Sequence, residues 1–147
     1  MLDLSNNNGS VNFRTVRQRT GHRRVYLKAT EGLHFVDKFY KARYVAAKAA
    51  GFKVGAYHFG HTYNSPEAEA RHFHSVVGKV KPGDLRPCLD FEIDAPSAAW
   101  AQRFLKEAER LFGVKPIIYS YPDYLRRAHF KKAPAALWLA SFGRNDG

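Results

Sequence analysis

At 147 residues the chain is long enough to bury one sizeable core and too short for two comfortable domains, so residues 1–147 are expected to form a single domain. A hydrophobic content of 45% with 14% aromatics excludes a disordered polymer, and no apolar run approaches the ~20 residues of a membrane-spanning helix. The 24 Lys and Arg against 13 Asp and Glu give a net charge of +11, which suits nucleic acid, an acidic membrane surface or a polyanionic cell wall, and equally describes a solubilising surface.

The opening Met1-Leu2-Asp3-Leu4-Ser5-Asn6 lacks the basic start and apolar centre of a signal peptide. The expectation is synthesis in the cytoplasm and release by some other agent. Met1 to Ser5 reads as a short strand that ends in the turn-forming Asn6-Asn7-Asn8-Gly9-Ser10. Val11, Phe13 and Val16 open a helical segment stopping near Gly21, and Arg24 to Thr30 is a second strand. Phe39 through Ala50 has the 3.6 period of an amphipathic helix, closed by Gly51, and a third strand follows over Lys53 to Phe59. Ser65 caps a helix with Pro66 in its first turn, which runs through Phe73 and Val77 to Gly78.

After the turn Lys81-Pro82-Gly83-Asp84 comes Arg86-Pro87-Cys88-Leu89-Asp90-Phe91-Glu92-Ile93-Asp94, where acids interrupt an apolar strand. Residues two apart on a strand face the same way, about 6.6 Å apart, so Asp90 and Glu92 project together and Leu89 and Phe91 face the other side. Paired carboxyls at that spacing permit glycosidic chemistry, retaining or inverting, and burial is expected to push their pKa values apart, one protonated as a general acid and one ionised. A solvated polar face on an edge strand fits the same spacing. Beyond it lie a helix from Ser97 to Gly113, a fifth strand over Lys115 to Ser120, a short irregular helix over Tyr121 to His129, and a sixth strand over Ala136 to Ser141.

Cys88 is the sole cysteine, so no intrachain disulfide is possible, and its apolar setting marks it as a small buried hydrophobe. No metal site is expected: His58 and His61 straddle a strand end, and His72 and His74 fall on different faces of a helix. The basic residues, Arg14, Arg17, Arg43, Lys48, Arg126, Lys131 and Lys132 among them, are dispersed and match no nucleic-acid motif.

Helices alternate with strands throughout, which implies parallel strands joined by right-handed crossovers, an α/β fold of (β/α) barrel type. Asp3 and Ser5, Lys28 to Glu31, Tyr57 and His58, Asp90 and Glu92, Tyr119 and Tyr121, and Trp138 collect at the strand ends that form the active face of such a barrel.

Several of these strand ends resemble glycoside hydrolase family 25, the Chalaropsis-type lysozymes that include phage endolysins. Asp3-Leu4-Ser5-Asn6-Asn7-Asn8-Gly9, Lys28-Ala29-Thr30-Glu31-Gly32, Gly55-Ala56-Tyr57-His58-Phe59, Pro87-Cys88-Leu89-Asp90-Phe91-Glu92 and Ile118-Tyr119-Ser120 look like that family's successive signatures, in its order. The resemblance implies a TIM-like barrel and a muramidase that cleaves the β-1,4 bond between N-acetylmuramic acid and N-acetylglucosamine in bacterial peptidoglycan, without a cofactor. It implies Glu92 as general acid, Asp90 as the carboxylate stabilising developing positive charge or an oxazolinium, and Asp3 as a further active-site acid. Tyr57, Lys28, Glu31, Tyr119 and Trp138 then match substrate-binding positions. Barrel packing is the alternative for Tyr57 and Trp138, and a structural ion pair for Lys28 and Glu31.

The family's barrel has eight strands and a further aspartate near the last of them, whereas about six strands are legible here, and Asp146 has no strand pattern around it. The last strands are therefore expected to be missing, the native catalytic unit to extend beyond Gly147, and the open sheet edge, with apolar Leu137 and Leu139, to favour self-association. Three readings remain: a muramidase, a non-catalytic cell-wall-binding remnant of the same fold, and a basic nucleic-acid-binding domain. Anionic wall polymers are expected as additional partners of the charge.

Overall fold

The computed structural model describes residues 1–130 and 137–139. In chain order the elements are β1 (Leu2–Leu4), α1 (Phe13–Thr20), β2 (Arg24–Glu31), β3 (Phe35–Val36), α2 (Tyr40–Ala49), β4 (Lys53–Phe59), α3 (Pro66–Val77), β5 (Cys88–Asp90), α4 (Ala98–Phe112), β6 (Ile117–Ser120), α5 (Pro122–Arg127) and β7 (Leu137–Leu139). The helix starts follow from local chemistry. Asn12, Ser65 and Ser97 each accept the backbone N–H three residues on, and Gly21 and Gly113 close α1 and α4 in the left-handed conformation that costs other residues most.

The strands form one sheet in the order β1-β2-β4-β5-β6-β7, every neighbouring pair parallel. Spatial order equals chain order, so each helix crosses to the next strand along and the sheet winds in one direction, as in a barrel. Among the described residues β1 and β7 are its two edges.

Strand alternation sorts the side chains into two layers. Leu4, Val25, Leu27, Val54, Leu89, Phe91 and Ile118 join the main core against the helices, with Phe73, Trp100, Phe104 and Tyr124. Tyr26, Cys88 and Ile117 form a second cluster on the other face, with Tyr57, Leu85, Tyr119 and Trp138 packed on it. Gly55 belongs to this inner layer: a Cβ there would meet the Tyr26 ring at 2.2 Å, so only glycine admits the ring, whose hydroxyl donates to the Arg86 carbonyl.

The structure departs from the expectations at three places. The two-residue β3 pairs antiparallel with β2 through Thr30–Val36 and Glu31–Phe35. A strand of that length carries no periodicity, so nothing local announces it. The strand expected to run through Glu92 stops at Asp90; Phe91 still donates its N–H to Tyr119, but Glu92 stands beyond the ladder. On the last strand Leu137 packs against the main core rather than standing as open apolar surface, while Leu139 is 47% exposed. Ala136, Ala140, Ser141, Lys131, Lys132 and residues 143–147 with Asp146 lie outside the described residues.

Candidate active site

Asp3, Tyr57, Cys88, Asp90, Tyr119 and Trp138 line one pocket on the inner face of the sheet. Four strands and the β7 edge contribute to it because inward positions alternate with the outward ones that hold the helices. Of the expected residues, Asp3, Tyr57, Asp90, Tyr119 and Trp138 thus come together, although they are dispersed over 136 positions of sequence, while Glu92, Lys28 and Glu31 do not line this pocket.

Asp90 is more deeply buried than Asp3 or Glu92, 8% exposed, and its Oδ1 has no hydrogen-bond partner among the described residues. Burial, then the Glu92 charge, pushes its pKa up to about 8, with Asp3 and Glu31 adding and Lys28 opposing. Glu92 is only half-buried, and burial together with Asp3 raises its pKa as well. The two carboxyls are therefore both lifted, and burial places the larger rise on Asp90. Asp90 is the more completely desolvated of the two, which is why burial raises its affinity for a proton so far.

The phenols feel the same charges. Burial, Asp90 and Asp3 hold Tyr57 protonated well above its ordinary range, and Tyr119 is pushed up to about 12 by burial, Glu92 and Asp90. Both remain neutral hydrogen-bonding groups. Trp138 lies 5.2 Å from the Tyr26 ring and 4.8 Å from Tyr119, so it packs the inner cluster and lines the pocket at once. Lys28 and Glu31 form an ion pair at 2.5 Å, and the ammonium also lies over the rings of Phe35 and Phe59. Lys28 nevertheless lowers the Asp90 pKa, so its charge reaches the pocket. The Cys88 thiol is buried and pushed up, which keeps it an inert neutral group.

Several residues that shape the site escaped the sequence reading. Asp37, 3% exposed, accepts the Phe39 N–H on Oδ1, leaves Oδ2 without a hydrogen-bond partner among the described residues, and raises the Tyr57 pKa. Arg43, counted there with the dispersed charge, is buried at 8% exposure and donates to the carbonyls of Ser5, Asn8 and Gly9, clamping the loop after Asp3. Beneath the site the fully buried Glu69 accepts from His58 Nε2 at 2.7 Å, from Asn64 Nδ2 at 2.7 Å and from the His61 N–H. Burial lowers the His58 pKa despite Glu69, so the ring is neutral; with Nε2–H on Glu69, its Nδ1 accepts the Thr30 hydroxyl at 2.8 Å. These partners lie 5 to 28 positions apart across strand, loop and helix, and no local pattern pairs them. The sequence signal was strongest for Asp94, two residues past Glu92 in the same acidic series.

Among the described residues no group of three or more His, Cys, Asp or Glu is placed to hold a metal ion, and no helix is long and apolar enough to cross a membrane. The pocket offers Asp90 with its raised pKa, a second acid in Asp3 and neutral phenols, and with Glu92 near enough to act on Asp90 the set is able to donate and withdraw protons and to stabilise positive charge.

A family model described as glycosyl hydrolases family 25 matches residues 2–147. The autolytic lysozyme of Clostridium acetobutylicum is 32% identical, covering 97% of this chain and 44% of its own length. An N,O-diacetylmuramidase of Arthroderma benhamiae is 31% identical over 84% of this chain and 57% of its own. The chain thus spans about half the length of the curated relatives it matches. Among solved structures, a family 25 glycosyl hydrolase from Bacillus anthracis superposes with a TM-score of 0.84 at 26% identity, covering 95% of this chain and 68% of that one. A muramidase from Acremonium alcalophilum does so at 0.84 and 28%, covering 99% and 78%.

Proposed function

The chain belongs to glycosyl hydrolase family 25, and on that footing we propose that it is a muramidase, hydrolysing the β-1,4 bond between N-acetylmuramic acid and N-acetylglucosamine in bacterial peptidoglycan. The observation that carries this reading is the meeting of Asp3 and Asp90 in one pocket with Glu92 close enough for its charge to raise the Asp90 pKa, while burial and Asp3 raise that of Glu92.

Glu92, half-buried beyond the strand end, is the general acid for the glycosidic oxygen, and Asp90 lies beneath, where the anomeric carbon would sit. Burial and the neighbouring acids raise the proton affinity of Asp90. Positive charge developing on the sugar favours an ionised Asp90 by the same Coulomb interaction that the neighbouring acids now oppose. Glu92 gives its proton to the departing oxygen as the glycosidic bond breaks. Water, or the substrate's own N-acetyl oxygen followed by water, takes the anomeric position, and the Glu92 carboxylate recovers a proton from that water. Asp3 adds negative charge to the same field. Tyr57, Tyr119 and Trp138 offer ring faces to a sugar, and Lys28 with Glu31 borders them. The site of action in this reading is the bacterial wall.

Loss of turbidity of a purified wall suspension, with new reducing ends in the soluble fraction, is the test. Sedimentation of the protein with walls that release no reducing ends would support the non-catalytic wall-binding reading instead, and preferential binding to DNA at physiological salt would favour the nucleic-acid reading.

A further inference from the structure

His61 lies just beyond β4 and carries a carboxylate on each ring nitrogen. Its Nδ1 is 3.0 Å from Asp94 Oδ2 and its Nε2 is 2.9 Å from Glu31 Oε1. A neutral imidazole has one N–H, so it can satisfy only one of these acceptors; the doubly protonated ring satisfies both. The ring is 16% exposed, which leaves little room for water to substitute for a missing bond.

The partners belong to different parts of the site. Glu31 ends β2 and is bonded to Lys28. Asp94 stands two residues after Glu92 and has a φ of +62°, a left-handed conformation that is unfavourable for a residue with a Cβ and is held here by its side-chain bond. The next residue is tied to the same loop, since Thr62 Oγ1 donates to the Ala95 carbonyl at 2.9 Å. From the other side, Tyr121 and Tyr124 donate to the carbonyls of Glu92 and Ile93. The segment carrying Glu92 is thus suspended between the α5 tyrosines and the loop after β4.

We propose that His61 is a positioning residue for the reaction: as an imidazolium it ties Glu31 at the end of β2 to Asp94 after β5, and so holds the Glu92 carboxyl in place above the buried pocket. This role rests on Glu92 being the acid of the proposed muramidase.

The electrostatic surroundings agree with the geometry. Burial pulls the His61 pKa down, but its bonds to Glu31 and Asp94 outweigh burial and hold it above the ordinary imidazole range. Among the described residues the charged and titratable groups facing it are Glu31 from β2, itself bonded to Lys28, Asp94 from the loop after β5, Tyr63 of its own loop with ring centroids 5.0 Å apart, Glu69 of α3 on its backbone N–H, and His58 of β4, which is neutral. Loss of the proton would leave a ring lone pair against one carboxylate and release the strut. Activity should therefore fall on the alkaline side as His61 titrates, through kcat more than KM, because the acid moves and the sugar contacts do not.

The experiment pairs NMR with kinetics. In the wild-type protein the ring nitrogens of His61 are titrated by long-range ¹H–¹⁵N spectra while the amides of Glu92, Ile93 and Asp94 are followed. A common midpoint above the ordinary imidazole range is expected, and amides that ignore the His61 titration would overturn the strut whether or not the protein hydrolyses walls. His61→Gln should lower kcat about tenfold with KM changed less than about twofold. His61→Arg carries a charge that is never lost, so it should restore most of kcat and move the alkaline limb to higher pH. His61→Gln retaining kcat within about twofold, or an alkaline limb unmoved in His61→Arg, would refute the role. A wild-type protein that cleaves no wall would refute the muramidase reading alone, since the co-titration is read without turnover.

Discussion

At Glu92 a change to Gln keeps the volume of the side chain and removes the proton it would donate, so turnover should fall by roughly a hundred- to ten-thousand-fold while thermal unfolding barely changes. A variant keeping more than about a tenth of the wild-type rate would show that the acid is elsewhere. Asp90 makes a second, opposite demand. Its folded pKa, about 8, is raised above the roughly 3.9 of an unfolded aspartate. The folded state therefore binds this proton more tightly, and the stability linked to it is fully present below about pH 4 and lost as pH climbs toward 8. Asp90→Asn removes that dependence, so its stability relative to wild type should improve from acid to alkaline pH, by on the order of a few kcal/mol, as its activity disappears. Paired melting curves at both ends of the range measure it; a difference that does not change with pH would contradict the burial argument.

Between elements, the site depends on contacts that cross the fold. Arg43 reaches from α2 to the loop after β1 and donates to Ser5 Oat 2.6 Å and Gly9 O at 2.9 Å, with Asn8 O between them. Arg43→Met keeps the aliphatic stem and leaves the three loop carbonyls without their donor, which should cost about 1–2 kcal/mol in a urea titration. It should also lower kcat/KM, because Asp3 and Ser5 lose the clamp on their loop. Destabilisation below about 0.5 kcal/mol would mean that water replaces the guanidinium easily. The helices themselves were legible: Ser65 with Pro66, and Ser97 with Gly113, mark α3 and α4 to within a residue. β3 was not, since its two residues are a strand only by pairing with β2.

For the whole molecule the net charge of +11 bears on how it meets a wall. If that charge concentrates the protein on anionic polymers, binding to whole walls should weaken steeply with salt while cleavage of a short neutral saccharide changes little, since screening acts chiefly over distances beyond about 10 Å. Equal salt dependence for both substrates, in a sedimentation assay and a reducing-end assay run side by side, would remove the steering argument. Part of the charge is unavailable for it: Arg43 is buried, and Lys28 and Lys48 are paired with Glu31 and Asp84.

Local rules determined the alternation of strand and helix, the inward set Asp3, Tyr57, Asp90 and Tyr119, and the outward set Leu89 and Phe91, because strand period and cap chemistry act within a few residues. The tertiary structure alone decided that Asp90 rather than Glu92 carries the larger pKa rise, because desolvation depends on what the other strands and loops place above each acid. It alone decided that His61 meets Glu31 and Asp94, partners 30 and 33 positions away. Such pairings arise only when the strands lie side by side and their loops are brought to one end, and no window of sequence contains both members.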